Sequence, residues 1–490
     1  MKNKKTLSDQ QRAFAGLVKK AIYANPFTRA RHLANCELTT MPPSANADTV
    51  LQQAIEQVES MVRQLKRQGV ASLPPAGHSD RHPLAHIFLF ALFHRYLPRL
   101  DEHITAQAQT GKTLDLACGP ALVADLAQVG FSSEECRHYV ALFFQMRRAF
   151  FFINKSLTGN APCMEALRAS LWNTVFTHDI ALYEQQLLGR LEDFSTLLLG
   201  ETGTGKGLAA AAIGRSGYIP YDSRNNRFAT SFSRAFLAIN LCQFPGSLLE
   251  SELFGHARGA FTGAVHDYQG LFARSSRHGS VFLDEIGEIN EQVQVKLLRI
   301  LQERTFTPVG SHVSGRFAGR LIAATNRNIN ELIDQGTFRE DFYFRISTVS
   351  ITLPPLRCRI RENPDELGEL VRLLTSRITG QDRENTLAEQ VTEKIMQQDG
   401  LNHAWPGNVR ELEQAVRRII MNGTWQPEKR QEHSTAMQQF AAQTSPPTMA
   451  ALAASYCQAL LKEHGTIQAV ARITGLDRRT VKKHITFLDT

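Results

Sequence analysis

Residues 197–213 read LLLGETGTGKGLAAAAI, an apolar run that enters a glycine-rich turn and leaves it as a run of small helix formers. Gly200, Gly205 and Lys206 have the G-x-x-x-x-G-K spacing of a phosphate-binding loop, in the strand–loop–helix setting that loop requires. A turn of this kind joins a strand to the helix that covers a parallel sheet, so it commits this part of the chain to an α/β fold. The glycines let the backbone wrap closely around phosphates. Successive N–H groups and the helix N-terminus supply partial positive charge, and Lys206 adds a full one. Gly200, Gly203, Thr204, Gly205, Lys206, Gly207 and Leu208 are therefore the candidate nucleotide-binding residues. The general motif places Ser or Thr after the lysine to ligate Mg²⁺. Gly207 has no oxygen to offer, so the metal would depend on acids elsewhere.

Such acids follow. In GSVFLDEIGEI the apolar run Val281-Phe282-Leu283 ends in Asp284 and Glu285. A strand-end Asp284 can hold Mg²⁺, and Glu285 can polarise an attacking water. Taken alone, two acids after a strand could simply cap the next turn. A phosphate loop upstream in the same α/β unit favours the catalytic reading.

The chain has 490 residues, too many for one core. Residues 1–160 read as mostly helical. Phe14, Leu17, Val18 and Ile22 recur at helical spacing, as do Leu51, Ile55, Val58, Val62 and Leu65. Breaks are expected at MPPSANA (41–47) and LPPAGHSD (73–80). Strand-like and helix-like runs alternate over 161–353. Pro354 and Pro355 open a helical lid over 354–425. A polar linker is expected over 426–447 and a small helical unit over 448–490. Net charge is +8, which fits a polyanionic partner but equally a merely basic surface. The seven cysteines include no C-x-x-C pair, which is the usage of a reduced compartment. MKNKKTLSDQQ has no apolar run behind it, and IFLFALF (87–93) is too short to cross a bilayer. A soluble, cytoplasmic chain without a membrane partner is the expectation.

From about 195 to 415 the sequence resembles the AAA+ domain of sigma-54-dependent activators, the bacterial enhancer-binding proteins. FLAINLCQFPGSLLESELFGHARGAFTGA (236–264) follows that family's pattern and contains its signature, GAFTGA, at 259–264. FLDEIGE (282–288), LIAATNRNI (321–329), FREDFYFRI (338–346) and WPGNVRELE (405–413) continue it. The resemblance implies a P-loop NTPase core with a helical lid, ATP and Mg²⁺ as cofactors, and a homo-oligomeric ring, usually a hexamer. It implies that Lys206 meets the β/γ-phosphates, Asp284 serves Mg²⁺ and Glu285 orients the lytic water. Asn240 matches a switch paired with that glutamate, Asn326 the sensor I region and Arg410 the sensor II arginine. Arg339 and Arg345 match arginine fingers that reach a neighbouring subunit's γ-phosphate. Phe261 and Thr262 match the tip of the loop that touches sigma-54. Read without the resemblance, GAFTGA is a flexible surface turn, and Arg339 and Arg345 are surface cations paired with Glu340 and Asp341. The chain departs from the family at Gly207, commonly acidic there, and in 214–236, which is longer than usual.

HGTIQAVARITGLDRRTVKKHITFL (464–488) has a helix ending near Thr474, a turn residue at Gly475 and an N-cap at Asp477. The second helix would present Arg478, Arg479, Thr480, Lys482 and Lys483 to double-stranded DNA. This unit resembles the Fis-type helix-turn-helix; a helical hairpin with a basic solvated face is the alternative. In 1–160 no receiver-like strand alternation is found. LDLACGP (114–120) resembles the glycine loop of S-adenosylmethionine methyltransferases, but what should follow it is missing, and a helix-to-helix turn is expected. His82, His86 and His94 could share one helix face and bind a metal, yet buried structural histidines are the better expectation. A regulatory protein or other signal acting on 1–160 is the default. The whole predicts an ATP-driven activator that remodels the closed complex of sigma-54 RNA polymerase while bound to upstream DNA. The alternative is a DNA-binding regulator that uses nucleotide only to control its oligomeric state.

Overall fold

A computed structural model describes residues 6–380, 386–426 and 449–486, which fall into two units, 1–425 and 426–490. Beyond its first residue, the linker expected over 426–447 lies outside the described residues.

The first unit begins with long helices: α1 (Asp9–Tyr23), α2 (Arg29–Thr39), α3 (Ala47–Arg67), α4 (Arg81–Thr110), α5 (Gly119–Val129), α6 (Ser133–Ser156) and α7 (Pro162–Phe176). Local chemistry sets their ends. Ser8 with Gln11, and Ser132 with Glu135, form capping boxes at α1 and α6. Asn46 caps α3, and Gly111 and Gly130 end α4 and α5 in the left-handed region. Both expected breaks fall between helices. So does LDLACGP, which links α4 to α5. Along α3, Val50, Ala54, Val58, Val62 and Leu65 form one buried stripe.

After a single turn, α8 (Ile180–Leu182), strands and helices alternate. The elements are β1 (Thr196–Leu199), α9 (Lys206–Gly214), β2 (Tyr221–Asp222), β3 (Arg227–Phe228), α10 (Phe232–Ala235), β4 (Phe236–Asn240), α11 (Gly246–Phe254) and α12 (Leu271–Arg274), followed by β5 (Ser280–Asp284), α13 (Glu291–Glu303), β6 (Thr305–Phe306), β7 (Gly315–Arg316), β8 (Arg320–Thr325), α14 (Ile329–Asp334), α15 (Glu340–Ile346) and β9 (Val349–Thr352). The main sheet has the order β4-β5-β8-β1-β9, and all its neighbours are parallel. Asn240 pairs in register with Asp284, and Leu199 with Thr325. The C-terminal ends of these strands thus share one edge, where ligands bind in open α/β sheets.

Strand alternation splits the interior in two. Leu197, Val281, Leu283, Leu321 and Ala323 face a core shared with α11, α13 and α15. Leu198, Phe282, Ile322, Ala324 and Ile351 face the other way, into a core that also takes in the N-terminal helices. That second core runs without a break from Leu7 to Leu353, across the boundary expected near residue 160. The helix after the phosphate loop, α9, packs against both α6 and α7. The long stretch 214–236 supplies the matching surface. It forms the β2–β3 hairpin, in which Phe228 stacks on Phe144 at 4.0 Å. Arg227 pairs with Asp115 at 2.8 Å, and the Phe232 N–H donates to Gln107 at 3.3 Å.

The lid comprises α16 (Leu356–Glu362), α17 (Asp365–Thr379), α18 (Thr386–Gln397) and α19 (Asn408–Asn422) around its own core, with Trp405 stacked on Trp425 at 5.2 Å. The second unit consists of α20 (Met449–His464), α21 (Ile467–Thr474) and α22 (Arg478–Thr486) about Cys457, Leu460, Val470 and Val481. Among the described residues no helix is long and apolar enough to cross a membrane.

Candidate active site

The loop between β1 and α9 closes one end of a cavity of about 470 Å³. Gly203 has φ +81°, and a Cβ there would lie 2.2 Å from the Gly407 carbonyl oxygen. Only glycine lets the lid come this close. Val409 N–H donates to the Gly203 carbonyl at 3.2 Å, and Arg410, next along α19, lines the cavity. Thr204, Gly205, Lys206, Gly207 and Leu208 line it too. Gly200 lies outside the lining, with φ +148° at the strand's exit.

Lys206 begins α9 and is only 7% exposed. Its Nζ donates to the carbonyls of Gly200 at 2.8 Å and Glu201 at 3.2 Å, so the side chain folds back on its own loop. Burial lowers its pKa, and the charges of Glu285 and Asp284 oppose that. Burial raises the pKa of Asp284, against a backbone hydrogen bond from Glu285 and the charges of Lys206 and Arg410. A cation and two carboxylates thus face one space at the sheet edge.

Glu285 has φ +58°, unusual for a non-glycine residue. Its carboxylate accepts from the Asn326 N–H at 3.4 Å, while Asn326 Nδ2 donates to Thr202 Oγ1 at 2.9 Å. The end of β8 is thereby tied to both the acid and the loop. Asn240 lines the same cavity as Glu285, but the expected pairing is not present. Its Oδ1 accepts from the Cys242 N–H at 3.0 Å, and among the described residues no hydrogen bond joins it to Glu285.

The oxygen donors suit a hard cation. Asp284 keeps most of its acceptor capacity, having one backbone donor at 3.1 Å. Mg²⁺ takes one or two carboxylates, with phosphate oxygens and waters completing the shell. No group of three or more His, Cys, Asp or Glu suited to a metal occurs among the described residues. His86 and His94 are instead desolvated neutral rings, with pKa pushed down to about 4 and about 3 by burial.

Sequence reasoning missed the clamp between loop and lid. Arg357 Nη1 donates to Glu201 at 2.8 Å, and Asn408 Nδ2 donates to Glu201 at 3.1 Å and to the Thr202 carbonyl at 3.0 Å. Glu201 occupies a position the motif leaves free, so nothing in the pattern marked it. The cavity has a further unforeseen wall: Ser156, Leu157 and Thr158, from the connection between α6 and α7.

Arg339 and Arg345 are outside this cavity. Arg339 pairs with Asp341 at 2.9 Å and with Glu291 at 3.1 Å, and Arg345 donates to the Leu301 carbonyl at 2.7 Å. Phe261 and Thr262 are exposed at the tip of a loop between α11 and α12, Phe261 at 41%. Gly259 N–H donates to Ala264 O at 2.8 Å and closes the loop, with Gly259 at φ +81°. Its stem is held by bridges from His256 to Tyr268 and to Val309.

In the second unit, Gly475 (φ +71°) turns the chain, and Asp477 accepts from the N–H groups of Arg479 and Thr480 at 2.8 and 3.0 Å. Arg478, Arg479, Lys482 and Lys483 are exposed. Thr480 is half-buried and donates its hydroxyl to Asp477 at 2.5 Å, so that hydroxyl serves the cap rather than a free face.

A strand-to-helix phosphate loop, acids at the end of β5 with β8 lying between it and β1, and a helical lid reaching over both define an AAA+ P-loop NTPase fold. Residues 181–352 match the family described as the sigma-54 interaction domain. The chain is 35% identical to the Nif-specific regulatory protein of Azotobacter vinelandii over 65% of this chain and 54% of that one. It is 40% identical to the DNA-binding transcriptional regulator NtrC of Rhizobium meliloti (strain 1021) over 48% and 44%. Among solved structures, NtrX from Brucella abortus in complex with ADP aligns with a TM-score of 0.40 at 20% identity, over 76% of this chain and 81% of that one. The chain spans about half the length of the curated relatives it matches. Over residues 181–352 the chain is therefore similar to the sigma-54 interaction domain of such regulators.

Proposed function

We propose that the chain is a cytoplasmic ATPase that assembles as a homo-oligomeric ring, a hexamer by family pattern, and remodels the closed promoter complex of sigma-54 RNA polymerase. The observation that carries this is the convergence of Lys206, Asp284 and Glu285 on one lidded cavity in a domain that also exposes Phe261 and Thr262 on a glycine-flanked loop. Loop N–H groups and Lys206 bind and orient the phosphates. Glu285 positions the attacking water and holds its proton, Asn326 keeps Glu285 and Thr202 in register, and Asn240, on the wall of the same cavity, serves as the nucleotide-sensing switch. Asp284 would hold Mg²⁺, which would supply charge neutralisation at the departing oxygens. Arg410 senses the nucleotide from the lid. Arg339 and Arg345, absent from their own cavity, act on the neighbour's. Arg478, Arg479, Lys482 and Lys483 of α22 contact upstream DNA, with Thr480 positioning the helix start.

The test is open-complex formation by the full chain at a sigma-54 promoter with ATP. The expected result is opening by the native chain and none by Lys206→Ala or Glu285→Ala; no opening by a native chain that binds its DNA well retires the proposal. Gly207, which cannot ligate Mg²⁺ as Ser or Thr would, favours a second reading: a DNA-binding regulator whose nucleotide controls only oligomerisation. Equal ATP turnover by the native chain and both variants would select it.

A further inference from the structure

The helical region contains a site the nucleotide chemistry does not use. Two adjoining cavities of about 610 and 270 Å³ open among α1, α2, α4, α6 and α7, and both are lined by Ile22, Arg31, Phe93, His94 and Met146. The larger lies within the usual size range of small-molecule sites. Aromatic rings form much of its wall: Phe27 stacks on Phe150 at 5.2 Å and meets Trp172 edge-on at 6.1 Å.

Some of its polar groups lack partners. Arg31 donates to the Ala21 carbonyl, and among the described residues no carboxylate pairs with it. Both ring nitrogens of His94 and Nε1 of Trp172 are buried without a hydrogen-bond partner. Buried polar groups are nearly always satisfied, so the unmet Trp172 N–H and the single N–H of neutral His94 mark where a ligand supplies acceptors. The acids on the larger wall are Asp48 and Glu165, against Arg29, Arg31 and Arg168; Arg147, on the same wall, is paired with Asp101.

We propose that this cavity binds a small aryl carboxylate, with its carboxylate on Arg31 and its ring among Phe27, Phe93 and Phe150. Arg31 offers a planar fork suited to a carboxylate, and the Trp172 N–H offers a further donor. Arg168 connects the site to the nucleotide pocket. Its side chain lines the same cavity and donates to the carbonyls of Leu157 at 2.9 Å and Gly159 at 2.7 Å. Leu157 is part of the nucleotide cavity's wall. A ligand that shifts α7 therefore shifts that wall and changes ATP turnover. This coupling rests on the ATPase reading; the binding site does not.

The full chain is titrated with benzoate, phenylacetate and indole-3-acetate, by calorimetry and by tryptophan fluorescence. Of the three tryptophans only Trp172 lines the cavity, and the other two stack on each other in the lid. The expected result is saturable binding of at least one acid at roughly millimolar concentration or below, with benzyl alcohol and acetate weaker by about tenfold or more. Arg31→Gln loses about tenfold in affinity. Leu97→Trp, which adds bulk to the wall and keeps the charge, loses binding by calorimetry even if Arg31→Gln fails to fold. No saturable binding by any of the three acids, or equal binding of benzyl alcohol, overturns the site. Turnover that changes with the bound acid in the native chain but not in Arg168→Met supports the coupling; unchanged turnover with binding intact overturns it. Absence of any ATP turnover with acid binding intact fails the ATPase reading alone.

Discussion

Lys206 is held by carbonyl oxygens of its own loop, and its ammonium is largely dry, so a phosphate has only to outbid two neutral acceptors. Lys206→Ala is expected to lower ATP turnover by about 100-fold or more, the scale of losing one preorganised charge stabiliser. Lys206→Arg is expected to fail as well, since the planar fork does not replace a compact ammonium. Steady-state phosphate release measures both. Gly207 gives the opposite kind of test. A Cβ there meets nothing within 4 Å and its φ is not positive. Gly207→Ser should fold at least as stably, because it replaces a helix glycine. It should also lower the Mg²⁺ concentration needed for half-maximal turnover; an unchanged Mg²⁺ requirement would mean that the missing hydroxyl has no bearing on the metal. Arg339 is half-buried and its side chain pairs with the surface acids Glu291 and Asp341, so Arg339→Ala should leave the Tm essentially unchanged. Its turnover should nonetheless fall by roughly 10³. Mixing Arg339→Ala with Lys206→Ala chains should restore part of it, since each supplies what the other lacks across an interface.

At the scale of elements, the phosphate loop and the lid act as one clamp through Gly203, Glu201, Arg357 and Asn408. Gly203→Ala would force a Cβ against the Gly407 carbonyl oxygen at 2.2 Å and strain a residue at φ +81°. Nucleotide affinity should drop while the second unit still binds DNA, as gel shift and nucleotide titration would separate. The loop at 259–264 makes the complementary case. Phe261 projects into solvent with its ring edge against His256 at 4.9 Å, and it takes no part in the nucleotide cavity. Phe261→Ala should therefore keep ATP turnover within about twofold, the range of a neutral surface substitution, and abolish open-complex formation. Turnover lost in parallel would show that the loop is part of the hydrolytic site rather than its output.

At the scale of the whole molecule, the continuous core from Leu7 to Leu353 makes the helical region part of the first unit's fold rather than an appendage. Deleting residues 1–160 strips α6 from α9 and uncovers Phe228 and Phe232, so the truncated chain should aggregate or lose cooperative unfolding. The buried histidines give this region a pH signature. Burial pushes His86 and His103 to about 4 and His94 to about 3, with nearby cations adding to the shift. In the unfolded chain they titrate at about 6.5. Between those values the unfolded state binds protons that the native state does not, so stability is complete above about 6.5 and falls as pH drops toward 4. Each such histidine contributes up to about 1.4 kcal/mol per pH unit in that window. Urea unfolding at pH 7 and pH 5 should show the loss, and His94→Phe should reduce it, leaving the share of His86 and His103.

Much of the site was legible without coordinates because its chemistry is local. Gly200 to Leu208 form a loop whose conformation and charge follow from consecutive residues, and Asp284 and Glu285 follow a strand recognisable by its apolar run. The helical pattern of 1–160, its breaks, and the turn and cap at Gly475 and Asp477 were legible for the same reason: caps and periodicity act within a few residues. What only the tertiary structure decided depends on packing between distant segments. No pattern in the chain says that Glu201 meets Asn408, that the Asn240 oxygen accepts from the Cys242 N–H while, among the described residues, no hydrogen bond joins its amide to Glu285, or that residues 214–236 are the seat on which the N-terminal helices rest. The boundary near residue 160 is real as a change of pattern and absent as a break in the core, because sequence periodicity reports which face of an element is buried and not what buries it.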